Sequence, residues 1–133
     1  METIKDATQQ EAELEMLVST VIRDVGIPMH ILGYDYVKEA VILVIENKSY
    51  LQAVTKELYP LLARRHESTP SRVERGIRHA IEVAWNRGNM EAHDKLFGYT
   101  VNALKGQPTN SEFIAGIAEY IRMLVKTGRP WRE

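Results

Sequence analysis

Apolar residues recur along this chain at the spacing of an α-helix, and this periodicity constrains the fold more than any other feature. The first apolar stripe consists of Leu14, Leu17, Val18, Val21, Ile22 and Val25. Gly26 and Pro28 end this helix, because glycine suits a left-handed cap and proline cannot continue a helix. The 133 residues suffice for one domain with a single core.

A second apolar segment follows, and it contains the one ambiguity in the pattern. The run AVILVI at residues 40–45 is apolar on nearly every side, so it fits a buried helix or a buried strand. The helical spacing before it and the lack of a partner strand favour the helix. Further helices are predicted over residues 51–58, 60–67, 70–86 and 90–97. A last helix begins at the capping box of Thr109 and Glu112. The pattern therefore predicts an all-α bundle of about six helices containing a helix-turn-helix.

Composition excludes several classes of protein. Cysteine is absent, which removes disulfides, thiolate metal sites and cysteine nucleophiles. Neither a catalytic triad spacing nor a phosphate-binding loop is present, so we expect no enzyme, no metal and no cofactor. No apolar run approaches the roughly 20 residues of a membrane span, and the polar N-terminus is not a signal peptide. We therefore expect a cytoplasmic protein without a membrane partner.

Residues 60–87 have the pattern of a helix-turn-helix. A short helix that starts at Pro60 is followed by a turn, and Thr69 and Pro70 cap and begin a longer helix. One side of the second helix is apolar. Its other side displays Ser71, Arg72, Glu74, Arg75, Arg78 and His79. In a helix-turn-helix this N-terminal half of the second helix faces base edges in the major groove.

The residue types on this face suit the reading of bases. Arginine can donate two hydrogen bonds to guanine, and glutamate can accept one from cytosine. A glutamate among phosphate-binding arginines would repel phosphate, so Glu74 favours base reading over backbone contact alone. The overall charge of −1 conceals a basic segment. Residues 64–88 contain six arginines and three glutamates, a net charge of +3, whereas residues 1–25 have a net charge of −4.

A simpler interpretation stays open at this point. An Arg- and Glu-rich helix face is often just a solvated surface, and helix-turn-helix spacing also arises by chance in helical proteins. A helical module that binds a sigma factor or another regulator without reading DNA is the alternative function. The spacing by itself suggests DNA binding and does not decide between these possibilities.

Several long motifs resemble a known family. The run SRVERGIRHAIEVAWNRGN at residues 71–89 is followed by LFGYTV and KGQPTNSEFIA, and VGIPMHILGYDYVKEA precedes it at residues 25–40. Together they closely resemble the C-terminal DNA-binding effector domain of the sporulation master response regulators of endospore-forming Firmicutes. The resemblance covers about residues 13–123. It implies a six-helix domain that binds a short asymmetric box of double-stranded DNA, often as a head-to-tail dimer, and activates or represses transcription.

The resemblance also implies roles for individual residues. The base-reading residues of the family correspond to Arg72, Glu74, Arg75, Arg78 and His79. Backbone contacts correspond to Ser71, Thr109, Asn110 and Ser111, with Lys126 as an addition. The segment 88–101 resembles the surface that contacts the RNA polymerase sigma subunit, which implies contacts through Glu91, His93, Asp94 and Lys95.

The chain departs from the family pattern in three places. No receiver domain with a phosphoacceptor aspartate is present, so we expect an excised effector fragment or a shortened relative that binds DNA without a signal. Gly76 stands where the family usually has alanine, at a cost of about 1 kcal/mol in helix propensity. The tail from Thr127 onward does not resemble the family. We therefore predict a leader or linker remnant at residues 1–12, the effector domain at 13–126 and a frayed tail at 127–133.

Overall fold

The computed structural model describes residues 6–98 and 106–132, and over these residues the protein is entirely helical. Within these two ranges six α-helices follow one another: α1 (Ala7–Val25), α2 (Leu32–Glu46), α3 (Tyr59–Arg65), α4 (Pro70–Arg87), α5 (Met90–Phe97) and α6 (Asn110–Thr127). A 3₁₀ turn, Lys48–Gln52, and a π-helical turn, Val54–Leu58, lead into α3. The predicted all-α class is confirmed. Among the described helices, none combines the length and apolar character needed to cross a membrane.

Capping residues explain where the helices begin. The side chains of Thr69 and Thr109 accept hydrogen bonds from the backbone N–H three residues later, at the starts of α4 and α6. At Thr109 the Glu112 side chain accepts in return from the cap backbone, which completes the predicted capping box. Pro60 and Pro70 occupy the first turns of α3 and α4, where a missing N–H costs nothing.

Helix α2 lies at the centre of the bundle and packs against α1, α4 and α6. Tyr36, Val37, Ala40 and Val41 are at most 1% exposed. The ambiguous segment 40–45 is therefore a buried helix, as its flanking spacing favours. Its nearly uniform apolar character follows from having neighbours on most of its surface.

Two glycines allow α2 and α4 to approach closely. A β-carbon at Gly33 would lie 2.3 Å from the backbone oxygen of Gly76 and 2.8 Å from the Ala80 methyl. A β-carbon at Gly76 would lie 3.0 Å from the Tyr36 ring. Glycine at position 76, where the family usually has alanine, therefore has a structural basis. It lowers helix propensity, but it leaves room for α2 and α4 to lie close together.

The C-terminal tail is the place where the structure corrects the sequence prediction. The expected frayed tail instead turns back after Gly128, whose φ of 69° ends α6, and Trp131 is only 6% exposed. The Trp131 indole N–H donates to Asp24 Oδ2 at 2.7 Å, and the Arg132 guanidinium forms an ion pair with the same carboxylate. Periodicity could not predict this packing, because it depends on residues more than 100 positions apart.

At the other end, α1 begins at Ala7, inside the segment predicted as a leader over residues 1–12. The Asp6 side chain accepts a hydrogen bond from the backbone N–H of Gln9 and caps this helix. Residues 7–10 are exposed, so the first turn of α1 extends beyond the packed core. The rest of the predicted leader, residues 1–5, lies outside the described residues.

Candidate nucleic-acid interface

Helices α3 and α4 pack against each other and are joined by a turn of four residues, 66–69. The backbone N–H of Ser68 donates to the Ala63 carbonyl at 2.8 Å, which closes the end of α3. Glu67 then takes a positive φ of 51°, and Thr69 caps α4. This is the predicted sequence of short helix, tight turn and longer helix.

Helix α4 has one buried and one exposed face. The buried face consists of Val73, Ile77, Ala80, Ile81 and Ala84, all fully inaccessible. The exposed residues are Ser71, Arg72, Arg75, Arg78 and His79, and Glu74 beside them is half-buried. All six residues of the predicted face therefore lie on the solvent side of one helix.

Two of these residues are bonded to each other. The Arg78 guanidinium donates to the Glu74 carboxylate at 2.6 Å, one helical turn away, and the two side chains are 52% and 33% exposed. Such exposed pairs are worth only about 0.3–0.5 kcal/mol, so a competing ligand can displace either partner. The pair nevertheless defines where the Arg78 side chain rests in the free protein.

The N-terminus of α6 lies beside this face. Tyr59, Glu74 and Arg78 line a surface depression of about 440 Å³ together with residues 107–111. Thr109 and Ser111 are exposed at its rim. The structure thus places the predicted base-reading segment next to the predicted backbone-contacting segment of α6, although at least 30 positions of sequence separate them.

Asn110 joins the two segments. Its side-chain amide donates to the Glu74 backbone oxygen at 3.1 Å and to the Tyr59 hydroxyl at 3.0 Å. Burial raises the pKa of the Tyr59 phenol, so this hydroxyl stays neutral and accepts the bond. Asn110 therefore links α6 to α3 and α4. The family resemblance implies only a contact with the DNA backbone for Asn110, and no local pattern points to Tyr59.

Lys126 lies well apart from this cluster. It is exposed in the last turn of α6, sixteen residues beyond Asn110. At a rise of 1.5 Å per residue the two positions are about 24 Å apart along the helix. The structure does not bring Lys126 together with the other predicted backbone contacts.

The four predicted sigma-contact residues on α5 divide into two pairs. Glu91 and Asp94 are exposed. His93 is half-buried, stacks on Trp85 with ring centroids 4.1 Å apart, and hydrogen-bonds to the Val25 carbonyl at 2.8 Å. The carbonyl can only accept, so the His93 ring nitrogen donates.

The Lys95 ammonium is likewise held by contacts, in this case with the C-terminal tail. It donates to the Trp131 carbonyl at 2.5 Å and lies 4.3 Å from the indole centroid, within cation–π range. Residues 99–101, which complete the predicted sigma-contact segment, lie outside the described residues. In the part of the chain that the structure describes, no three His, Asp or Glu side chains are grouped as a metal site.

The fold and this surface define a small all-helical domain built around a helix-turn-helix motif with an arginine-rich second helix. A family model described as "Sporulation initiation factor Spo0A C terminal" matches residues 18–121. The chain belongs to this family, whose members are regulatory DNA-binding domains of transcription factors and not enzymes. The resemblance noted in the sequence is therefore confirmed.

Proposed function

We propose that this chain is a sequence-specific DNA-binding regulator of sporulation initiation that places α4 in the major groove of double-stranded DNA. The observation that carries the proposal is the exposed arginine-bearing face of α4, bordered by the N-terminus of α6. A helix of this kind fits the major groove, and its first turns are the part that reaches base edges. The proposed site of action is the cytoplasm, because that is where bacterial DNA lies.

Each residue of the face has a proposed role. Arg75 and Arg78 each read a guanine through two hydrogen bonds, and Glu74 accepts from a cytosine amino group. Arg72 and His79 complete the base-facing surface. This assignment is supported by the exposure of the four basic side chains and by the pairing that holds Glu74 beside Arg78.

Backbone contacts are proposed on both sides of the groove. Ser71 begins the base-reading face, while Thr109 and Ser111 present hydroxyl groups at the start of α6. The partial positive charge of a helix N-terminus favours phosphate there. Asn110 supports this contact by joining α6 to α4, and Lys126 adds a more distant contact that is independent of sequence.

A second surface is proposed for RNA polymerase. On α5 the exposed charges that are not committed to the tail are Glu91 and Asp94, so an acidic edge faces outward. We propose that this edge contacts the sigma subunit when the domain is bound near a promoter. His93 and Lys95 support this surface by joining α5 to the Val25 and Trp131 carbonyls. Head-to-tail dimers on tandem DNA sites, with activation or repression as the outcome, complete the proposal.

Selection of binding sites from random duplexes is the experiment that tests the proposal most directly. A single enriched motif is expected, and Arg75→Ala should lose about 1–3 kcal/mol of discrimination at one base pair of that motif. Arg87→Ala is the matched control, since it removes the same charge from the exposed far end of α4. An Arg75→Ala protein that retains full preference for the selected site over scrambled DNA would refute the assignment.

Salt dependence separates DNA reading from the alternative of a protein-interaction module. Affinity for DNA should fall steeply and linearly with the logarithm of salt concentration as counterions are released from phosphates. Lys126→Ala should weaken binding to all sequences alike and reduce that slope by about one. Binding to the sigma subunit with no enriched DNA motif would favour the alternative.

A further inference from the structure

Glu39 of α2 reaches across to the end of α3 and to the turn before α4. One carboxylate oxygen accepts from the Arg65 guanidinium at 2.7 Å, and the other lies 2.5 Å from His66 Nε2. Burial opposes ionisation of this carboxyl, but hydrogen bonds from Arg65 and His66 outweigh it, so the pKa of Glu39 lies below its ordinary value. The carboxylate therefore joins the last residue of α3 to the first residue of the turn.

Tyr36, one helical turn before Glu39, lies against both the turn and α4. The His66 ring lies edge-on to Tyr36, with centroids 5.1 Å apart and planes at 89°. A β-carbon added at Gly76, in the middle of α4, would lie 3.0 Å from the Tyr36 ring, so this ring also packs against α4. A single helical turn of α2, from Tyr36 to Glu39, thus supports both residues 66–69 and α4.

The turn requires such support. Glu67 adopts a φ of 51°, a left-handed conformation that residues other than glycine seldom adopt. A conformation of this kind costs free energy and persists only where the surrounding structure holds it. His66, immediately before Glu67, is the turn residue that Glu39 holds.

We propose that Glu39 is a positioning residue for DNA recognition, which holds Arg65 and His66 so that α4 leaves the turn at a defined angle. This inference rests on the proposed function. Glu39 lies on α2 and would not touch DNA through its paired oxygens. It acts through the turn, because a small rotation of α4 displaces every base-reading side chain at once and degrades their hydrogen-bond geometry.

The test compares Glu39→Gln with Asp35→Asn, which removes the same charge from an exposed position of the same helix. For each protein we would measure affinity for the selected operator and for scrambled DNA over a series of salt concentrations. In Glu39→Gln the ratio of the two affinities should fall at least about tenfold, the discrimination that one bidentate base contact supplies. The salt dependence should stay unchanged, because the number of phosphate contacts is the same. Asp35→Asn should keep the ratio.

Two further measurements distinguish positioning from general destabilisation. Amide exchange at residues 66–69 should rise in Glu39→Gln and not in Asp35→Asn. In a double-mutant cycle with His66→Ala, the combined loss of specificity should be smaller than the sum of the two single losses, because both variants break the contact between Glu39 and His66. Glu39→Asp, which retains a carboxylate, should recover part of the specificity.

An affinity ratio within about twofold of the wild-type value in Glu39→Gln, or fully additive losses in the cycle, would overturn the proposal. A wild-type protein with no preference for any duplex would instead overturn the proposed function. In that case amide hydrogen exchange at residues 66–69 is the measurement that decides whether Glu39 holds the turn. Unchanged amide exchange in Glu39→Gln would show that it does not.

Discussion

The Glu74 carboxylate accepts a hydrogen bond from the Arg78 guanidinium at 2.6 Å, so two residues proposed to read bases are paired in the unbound domain. The pair is partly exposed and weak, and DNA bound in the proposed way would compete with it directly. In the free protein the pair holds the long Arg78 side chain on the face of α4 from which it is proposed to reach a base. Less side-chain entropy then remains to be lost on binding.

Glu74→Gln tests whether this glutamate reads a base. We expect the free energy of unfolding to change by less than about 0.5 kcal/mol, because only an exposed i,i+4 pair is weakened. Discrimination at one base pair of the selected site should fall by about 1–3 kcal/mol. Competition binding with single-base variants of that site measures it. Glu82→Gln, at an exposed position of the same helix, is the matched control. Equal losses in both variants would show that only the change in charge matters.

Gly33→Ala tests the close approach of α2 and α4. Helix propensity by itself predicts a gain of about 1 kcal/mol from this change. The added β-carbon would lie 2.3 Å from the Gly76 backbone oxygen, which predicts a loss of stability instead, since backbone cannot move aside as a side chain can. We expect a net loss of about 1–3 kcal/mol in the free energy of unfolding, measured by urea denaturation. Leu32→Ala, at a neighbouring exposed position, is the control. A stabilised Gly33→Ala protein would contradict the packing described above.

Asn110→Asp tests the link between α6 and α4. An aspartate offers only acceptors to the Glu74 carbonyl and the Tyr59 hydroxyl, so the bond to the carbonyl is lost. The free energy of unfolding should fall by about 1–3 kcal/mol. Ser111→Asp places the same charge one residue further on, at an exposed position, and should leave stability nearly unchanged. Both variants should bind DNA more weakly, because each brings a negative charge to the proposed phosphate contact. Equal stability of the two variants would argue against the link.

Asp24→Asn tests the attachment of the tail through its dependence on pH. The hydrogen bond from Arg132 holds the pKa of the Asp24 carboxyl below its ordinary value. A lowered pKa in the folded state stabilises the protein above the unfolded pKa of about 3.9, and this contribution is lost as the pH falls further. Wild type should therefore be more stable than Asp24→Asn at neutral pH, and the difference should shrink in acid. Thermal unfolding from pH 7 to pH 3 measures the difference. A difference that is constant over this range would indicate that ionisation of Asp24 contributes nothing.

The helices were predictable because their signals are local. The stripe from Leu14 to Val25, the caps at Thr69 and Thr109, and the prolines at 60 and 70 each specify a helix or its start within a few residues. The exposed face of α4 was predictable for the same reason, since helical spacing sorts residues 71–79 into inward and outward positions.

The contacts between segments were not predictable, because no spacing rule connects residues far apart in sequence. Asn110 looked like a further polar residue at a helix start, and only the tertiary structure places its amide on the Glu74 carbonyl. Lys95 and His93 looked like outward charges on a short amphipathic helix. In the structure they are held by Trp131 and by the Val25 carbonyl.

By itself, the sequence determined an all-helical domain, its helix-turn-helix and the residues on the exposed face of α4, because periodicity and capping act over one or two helical turns. Tertiary structure decided how these parts support one another. Gly33 meets Gly76, Glu39 holds His66, and Asp24 anchors Trp131 from the far end of the chain. Such contacts depend on the distance between whole helices, and that distance is decided only when all the side chains of the core pack together.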